Sequence, residues 1–203
     1  MKQRLKETVR ALRHRNFRIF FAGMLISFIG TWMQSLAQSW LVYRLTGSAW
    51  LLGLVGFAGQ APILVLSPVA GVMADRYSKL RIVMLTQALS LAQALALGVL
   101  TVTGRETVPA ILGLAIALGV INAFDVPTRQ SFMVELVGKE DLMNAIALNS
   151  SMINGARIIG PAIAGLVVAV FGEGPCFFLN AASYVVVLGG LFALKPAVAS
   201  RPV

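Results

Sequence analysis

Residues 82–104 read IVMLTQALSLAQALALGVLTVTG, 23 positions without a charge between Arg81 and Arg105. Apolar or small residues recur on every face from Leu85 to Leu100, so the stretch lacks the alternating polarity of a barrel strand. A helix rising 1.5 Å per residue needs about 20 residues to cross a ~30 Å hydrocarbon core. This segment is therefore a membrane-spanning helix, and its neighbours read the same way. Uncharged stretches also cover residues 19–43, 45–74, 107–124 and 175–194, and another, 142–172, is interrupted only by Arg157. Six spans are predicted, giving an all-α integral membrane bundle.

The whole composition agrees. The chain has 203 residues, 58% hydrophobic and 12% charged, with a mean hydropathy of +0.82. A soluble chain carries about a quarter charged residues, and disorder needs low hydrophobicity, so both classes are excluded. The net charge of +9 would suggest nucleic acid in a soluble protein, but its placement decides otherwise. With six spans, residues 1–18, 75–81, 125–141 and 195–203 share one surface and hold fourteen of the seventeen Lys and Arg. Arg44 and Arg105 lie on the other. Cytoplasmic loops collect Lys and Arg, so both termini are expected in the cytoplasm of a multi-pass inner-membrane protein, with lipid rather than nucleic acid as the partner. Residues 1–18 read as a basic cytoplasmic flank, which either is solvated or lies on an anionic leaflet, and 195–203 as a tail or the start of a linker. The 25-residue first stretch exceeds a signal peptide's ~7–15-residue apolar region, so helix one is expected to stay in the protein.

A lone Cys176 and a lone His14 exclude an intrachain disulfide and a Cys/His zinc cluster. No Ser/His dyad, haem, nucleotide or phosphate-loop pattern is present, so neither an enzyme nor a cofactor is expected. Polarity within the spans carries the functional reading. Ser27, Thr31, Gln34 and Gln38 recur at steps of four, three and four, on one helix face with Ser35 beside them. That face either bonds neighbouring helices or lines a wet cavity. Trp40 and Trp50 fit an interfacial belt, whereas Trp32, nearer mid-span, either contacts substrate or packs. Helix two carries Gly53, Gly56, Gly59, Pro62 and Pro68, which permit close approach and a bend.

Arg157 stands near the middle of span five. A guanidinium at the bilayer centre costs at least ~2.5–3.5 kcal/mol on insertion scales. It is expected to face the protein interior and find oxygen partners, either cargo or, structurally, backbone carbonyls or the carboxylate of Asp125. Ala156, Gly160 and Ala164 form a small-residue stripe beside it. At the cytoplasmic ends lie Gly71-Val-Met-Ala-Asp75-Arg76-Tyr-Ser-Lys79-Leu-Arg81 and Asp125-Val-Pro127-Thr-Arg129-Gln130. Asp75 sits against the negative end of helix two, so it is expected to pair with Arg76, Arg81 or Arg129, or to cap another helix. Helices two and five each place proline before glycine, Pro68-Val-Ala-Gly71 and Pro161-Ala-Ile-Ala-Gly165, as two inverted three-helix repeats would.

These residues resemble the amino-terminal half of a major facilitator superfamily transporter. Gly71, Asp75, Arg76, Lys79 and Arg81 are similar to the superfamily's signature between helices two and three, with Ser78 and Leu80 departing from it. Gly160, Pro161 and Gly165, preceded by Arg157, are similar to the helix-five signature of drug:proton antiporters, with Ala164 in place of a glycine. The stretch from Gly30-Thr-Trp32 to Ser48, with Pro127-Thr-Arg129 and Gly160-Pro161, looks most like the bacterial exporter branch that includes the enterobactin exporter. The resemblance implies a secondary exporter of small amphipathic or siderophore-like molecules, working by alternating access and proton exchange, with substrate held between two six-helix halves. Gln34, Gln38 and Arg157 are then the cavity candidates. Asp75, Arg76, Arg81, Asp125 and Arg129, with Gly71, Lys79 and Pro127, form a cytoplasmic gate and helix-coupling set. The expected partner is a second six-helix half, as the rest of a truncated chain, a second copy or another subunit. The alternative is a six-helix membrane interaction protein that packs against partners and moves nothing.

Overall fold

A computed structural model describes residues 10–194. A 3-10 turn, Arg10–Arg13, leads into α1 (Arg15–Thr46), followed by α2 (Ala49–Arg76), α3 (Lys79–Val102), α4 (Val108–Phe171) and α5 (Gly174–Phe192). All five are long and apolar enough to cross a membrane. The links are chemically marked. Gly47, at φ 61°, ends α1 in the left-handed conformation that glycine tolerates, and the Ser48 side chain accepts from the Leu51 N–H to start α2. Helix two thus begins at Ala49, four residues later than residue 45, because Leu45 and Thr46 complete the last turn of α1.

α4 differs most from the sequence expectation. It runs for 64 residues, and the turn expected at 125–141 is helical on both sides of a single break at Gly138, where φ is 73° and ψ 175°. A straight helix of that length would measure about 96 Å, three times the hydrocarbon core. Instead the element folds back. Leu114 in its first arm (108–137) reaches the level of Gln34 through Gln93, while Gly160 in its second arm (139–171) touches Trp32, only two residues away on α1. The 46 residues between Leu114 and Gly160 would otherwise separate them by about 69 Å. Only a residue without Cβ takes Gly138's φ freely, so the reversal needs one residue rather than a loop.

The core has two large apolar clusters and a small third one of Ala94, Ala181 and Tyr184. Phe17, Phe20, Met24, Val83, Phe132 and Leu191 pack at one end, where Phe20 and Phe132 meet edge to face at 5.6 Å. Met33, Leu41, Leu97, Ile111 and Phe177 pack at the other. Small residues set the spacing. Gly30 of α1 lies against Asn180 of α5, where an added Cβ would stand 3.1 Å from the Asn180 Cα, and Gly119 of the first arm abuts the Gly59 carbonyl of α2. The outer faces are apolar: Leu64 and Val65 of α2 and Ile158 and Leu166 of the second arm are exposed. In water such faces would drive aggregation; lipid tails or another apolar bundle solvate them at no cost.

Candidate functional site

A cleft of about 250 Å³ opens between α1, α2 and the first arm of α4. Its polar lining includes Thr31, Gln34, Ser35, Gln38, Gln60 and Asn122, with Trp32 at its side and no charged side chain among the described residues. The stripe on α1 does both of the things its periodicity allowed. Gln34 is buried and bonded at both ends of its amide: it donates to Gln93 Oε1 at 2.9 Å and accepts from Asn180 Nδ2 at 2.8 Å. Gln93 in turn donates to the Leu114 carbonyl at 3.3 Å, and the Ser183 hydroxyl donates within α5 to the Asn180 carbonyl at 2.6 Å. One polar layer thereby ties α1, α3, α4 and α5. Thr31 donates to the Ser27 carbonyl at 2.9 Å and meets the Tyr184 hydroxyl at 3.3 Å. Gln38, one turn beyond Gln34, is half-buried in the cleft wall and leaves its amide available there.

Arg157 lies elsewhere than the sequence led us to expect. It is exposed rather than interior, and its guanidinium sits 5.0 Å from the centroid of the Trp32 ring, with no oxygen partner among the described residues. The carboxylate of Asp125 is not its tether. The stripe beside Arg157 explains the placement: Ala156, Gly160 and Ala164 are buried, Gly160 directly against α1, which turns position 157 outward past Trp32. Pro161 follows inside the helix, and Gly165 has nothing within 4 Å of where its Cβ would be.

The residues expected at the cytoplasmic ends separate into distinct groups. Asp75, Arg76 and Arg81 are exposed and form no ion pair among the described residues, so the expected pairing of Asp75 with Arg76, Arg81 or Arg129 is absent. Asp75 points outward because Ala74, its neighbour, is the residue that α2 buries. Gly71 likewise faces open space. Asp125 and Arg129 belong together instead, one turn apart on α4 at 3.5 Å. Asp125 is buried and accepts from Thr86 at 2.7 Å and Gln87 at 3.1 Å on α3, while Arg129 stacks 4.6 Å from the Phe28 centroid on α1. Pro127 lies between them within the helix. Lys79 pairs with Glu135 at 2.8 Å, a second link from α3 to α4.

Two acid sites escaped the sequence reading. Asp141, in the first turn of the second arm, is buried and accepts from Arg10, from Arg13 at 2.8 Å and from His14 at 2.7 Å. Nearby, Ala11 N–H donates to Asn144 Oδ1 at 2.8 Å. The His14 hydrogen bond foremost, with Arg10 and Arg13, holds the Asp141 carboxyl below the ordinary carboxylate range despite its burial. The cluster clasps the amino-terminal segment to the fold-back, so Arg10, Arg13 and His14 are anchored rather than a loose flank. At the opposite end Arg44 donates to Glu173 at 2.7 Å and lies 3.5 Å from Glu106. The available signal for Asp141 was an acid shortly after a glycine, where a helix N-terminus favours negative charge.

The profile of the family described as transmembrane secretion effector matches residues 7–203. The chain is 33% identical over 168 residues to the staphyloferrin A transporter of Staphylococcus aureus, covering 82% of the chain and 42% of that protein. It is 29% identical over 190 residues to the enterobactin exporter EntS of Shigella boydii, covering 93% and 45%. It is also 29% identical over 159 residues to the multidrug efflux pump Tap of Mycolicibacterium fortuitum, covering 76% and 39%. The chain spans less than half the length of these relatives. With its long apolar helices and its polar cleft, it is a multi-pass bacterial membrane protein of the major facilitator superfamily and belongs to the transmembrane secretion effector family.

Proposed function

We propose that the chain is the amino-terminal half of a secondary exporter that moves small amphipathic, siderophore-like molecules by alternating access, driven by proton exchange. The observation that carries this reading is the polar cleft set among apolar helices, since hydrogen-bonding side chains at that depth serve either packing or cargo. Gln34 serves packing, which leaves Gln38 and Arg157 as the cargo contacts and Gln34 as the group that holds the wall in place. The two arms of α4 each cross the bilayer, so that with α1, α2, α3 and α5 there are six crossings and both termini are cytoplasmic. The exposed apolar faces of α2 and the second arm, with open positions at Gly53, Gly56 and Gly165, accept the second six-helix half. Asp75, Arg76 and Arg81, which are exposed, gate the cytoplasmic side against that second half, while Asp125, Arg129 and Lys79 couple α3 to α4 within this one.

The test is export by membrane vesicles from cells making the two halves together, under an imposed pH gradient. Uptake into inverted vesicles that is abolished by collapsing the gradient is expected. Arg157→Ala should lower the rate while leaving membrane insertion intact. Absence of gradient-dependent flux would favour the non-transporting interaction protein. Labelling of residues near Lys79 from outside the cell would overturn the topology.

A further inference from the structure

The buried carboxylates among the described residues all have counter-charges. Asp125 faces Arg129, Asp141 holds Arg10 and Arg13, and Glu173 holds Arg44. None is left for Arg157, whose partner among the described residues is the Trp32 ring. The geometry of that contact matters. A guanidinium attracted to an indole engages the ring through electrostatics, while its N–H donors stay available for an acceptor. Arg157 is exposed, so its donor fork is accessible. Its platform, Trp32, also lines the cleft, and every other polar group lining it is a neutral amide or hydroxyl. Arg157 does not itself line the cleft but meets the ring that does, so a cation without a counter-charge among the described residues adjoins a neutral, hydrogen-bonding pocket.

We propose that the cleft takes an organic anion: Arg157 receives a carboxylate of the cargo through its donor fork, Trp32 orients the guanidinium, and Gln38, Gln60 and Asn122 hydrogen-bond the cargo's polar body. A planar guanidinium fork matches a carboxylate bidentately, which an ammonium does not. The volume of about 250 Å³ is below the ~300–1,000 Å³ of sites that enclose a drug-sized molecule, so this half holds one acidic arm rather than the whole cargo. The inference rests on the exporter reading and names the class of its substrate.

The experiment compares 4-hydroxybenzoate with 4-hydroxybenzamide, nearly equal in size and differing in charge, by equilibrium dialysis against the chain in nanodiscs of zwitterionic lipid. A charge-assisted pair predicts a preference of roughly 10- to 100-fold for the anion. Arg157→Gln should erase that preference, and Arg157→Lys, which keeps the charge but loses the fork, should retain an intermediate one. Lys provides the readout if the Gln variant fails to elute as a folded species. Equal binding of both probes overturns the anion assignment while leaving the cleft a binding site. A preference that survives in both variants removes Arg157 from it. Binding of neither probe sinks the proposal together with the reading of the cleft as a cargo site.

Discussion

One methyl group added at Gly160 measures how closely α1 and the second arm of α4 are held. A Cβ at that position would stand 2.6 Å from Trp32 Cβ, 2.8 Å from the Ile29 carbonyl oxygen and 3.2 Å from the Met33 nitrogen. Carbon atoms in contact prefer about 3.5–4.0 Å, so the helices must part by roughly 0.5–1 Å. Two of the three obstacles are backbone, and the third is the first carbon of a side chain; none can rotate away. Overpacking of this kind costs about 1–3 kcal/mol, and rigid neighbours place it at the upper end. Alanine recovers about 1 kcal/mol of helix propensity, which leaves Gly160→Ala destabilised by about 1–2 kcal/mol. Gly165, five residues on, provides the control, because nothing lies within 4 Å of its Cβ position and Gly165→Ala should be neutral or slightly stabilising. The two variants should differ by about 2 kcal/mol, or roughly 30-fold in the unfolding equilibrium. Unfolding of the chain in mixed micelles by increasing SDS, followed by far-ultraviolet circular dichroism, reads the difference. Equal stability of the two variants, or greater stability of Gly160→Ala, would refute the close packing on which the placement of Arg157 depends.

Three further outcomes are expected. Gln34→Leu leaves Gln93 Oε1 and Asn180 Nδ2 without their partner; at about 0.6–1.7 kcal/mol per interhelical bond, the same SDS titration should show a loss of about 1–3 kcal/mol, and unchanged stability would disprove the polar layer's role. The Asp141 clasp should respond to acid: a carboxyl held below its ordinary range contributes in full above about pH 3.9 and loses that contribution as the pH falls through the lower folded value. Exchange of the Ala11 N–H, corrected for its intrinsic rate, should therefore be slow at pH 7 and pH 5 and accelerate only in stronger acid, whereas Asp141→Asn should accelerate it already at pH 7. Asp75→Asn should leave the stability of this chain within about 0.5 kcal/mol, since the residue is exposed and forms no ion pair among the described residues, yet lower export when both halves are present; a destabilised chain would show that Asp75 has a partner within it.

Hydrophobic length and the placement of basic residues were legible because each depends on sequence alone: a run of apolar residues prefers lipid whatever its neighbours, and the transfer cost of Lys and Arg is local. The same holds for the face shared by Ser27, Thr31, Gln34 and Gln38, which follows from helical periodicity. Periodicity says which residues share a face and not what meets it. That Gln34 is consumed by Gln93 and Asn180, 59 and 146 residues away, while Gln38 keeps its amide for the cleft, is decided by where α3 and α5 pack. Asp75 and Asp125 look alike in sequence, each at the end of an apolar run with a cation close by. Packing buries one beneath α3 and turns the other outward. Asp141 shows the same limit from the other side, because its three partners, two arginines and a histidine, precede it by 127 to 131 positions and reach it only after the chain reverses at Gly138. Composition and period determined that this chain is a set of membrane helices, with one polar face and one arginine misplaced for lipid. Which polar groups cancel one another, and which stay without a partner among the described residues, only tertiary contact decided, since hydrogen bonds and ion pairs act over a few ångströms in space regardless of separation along the chain.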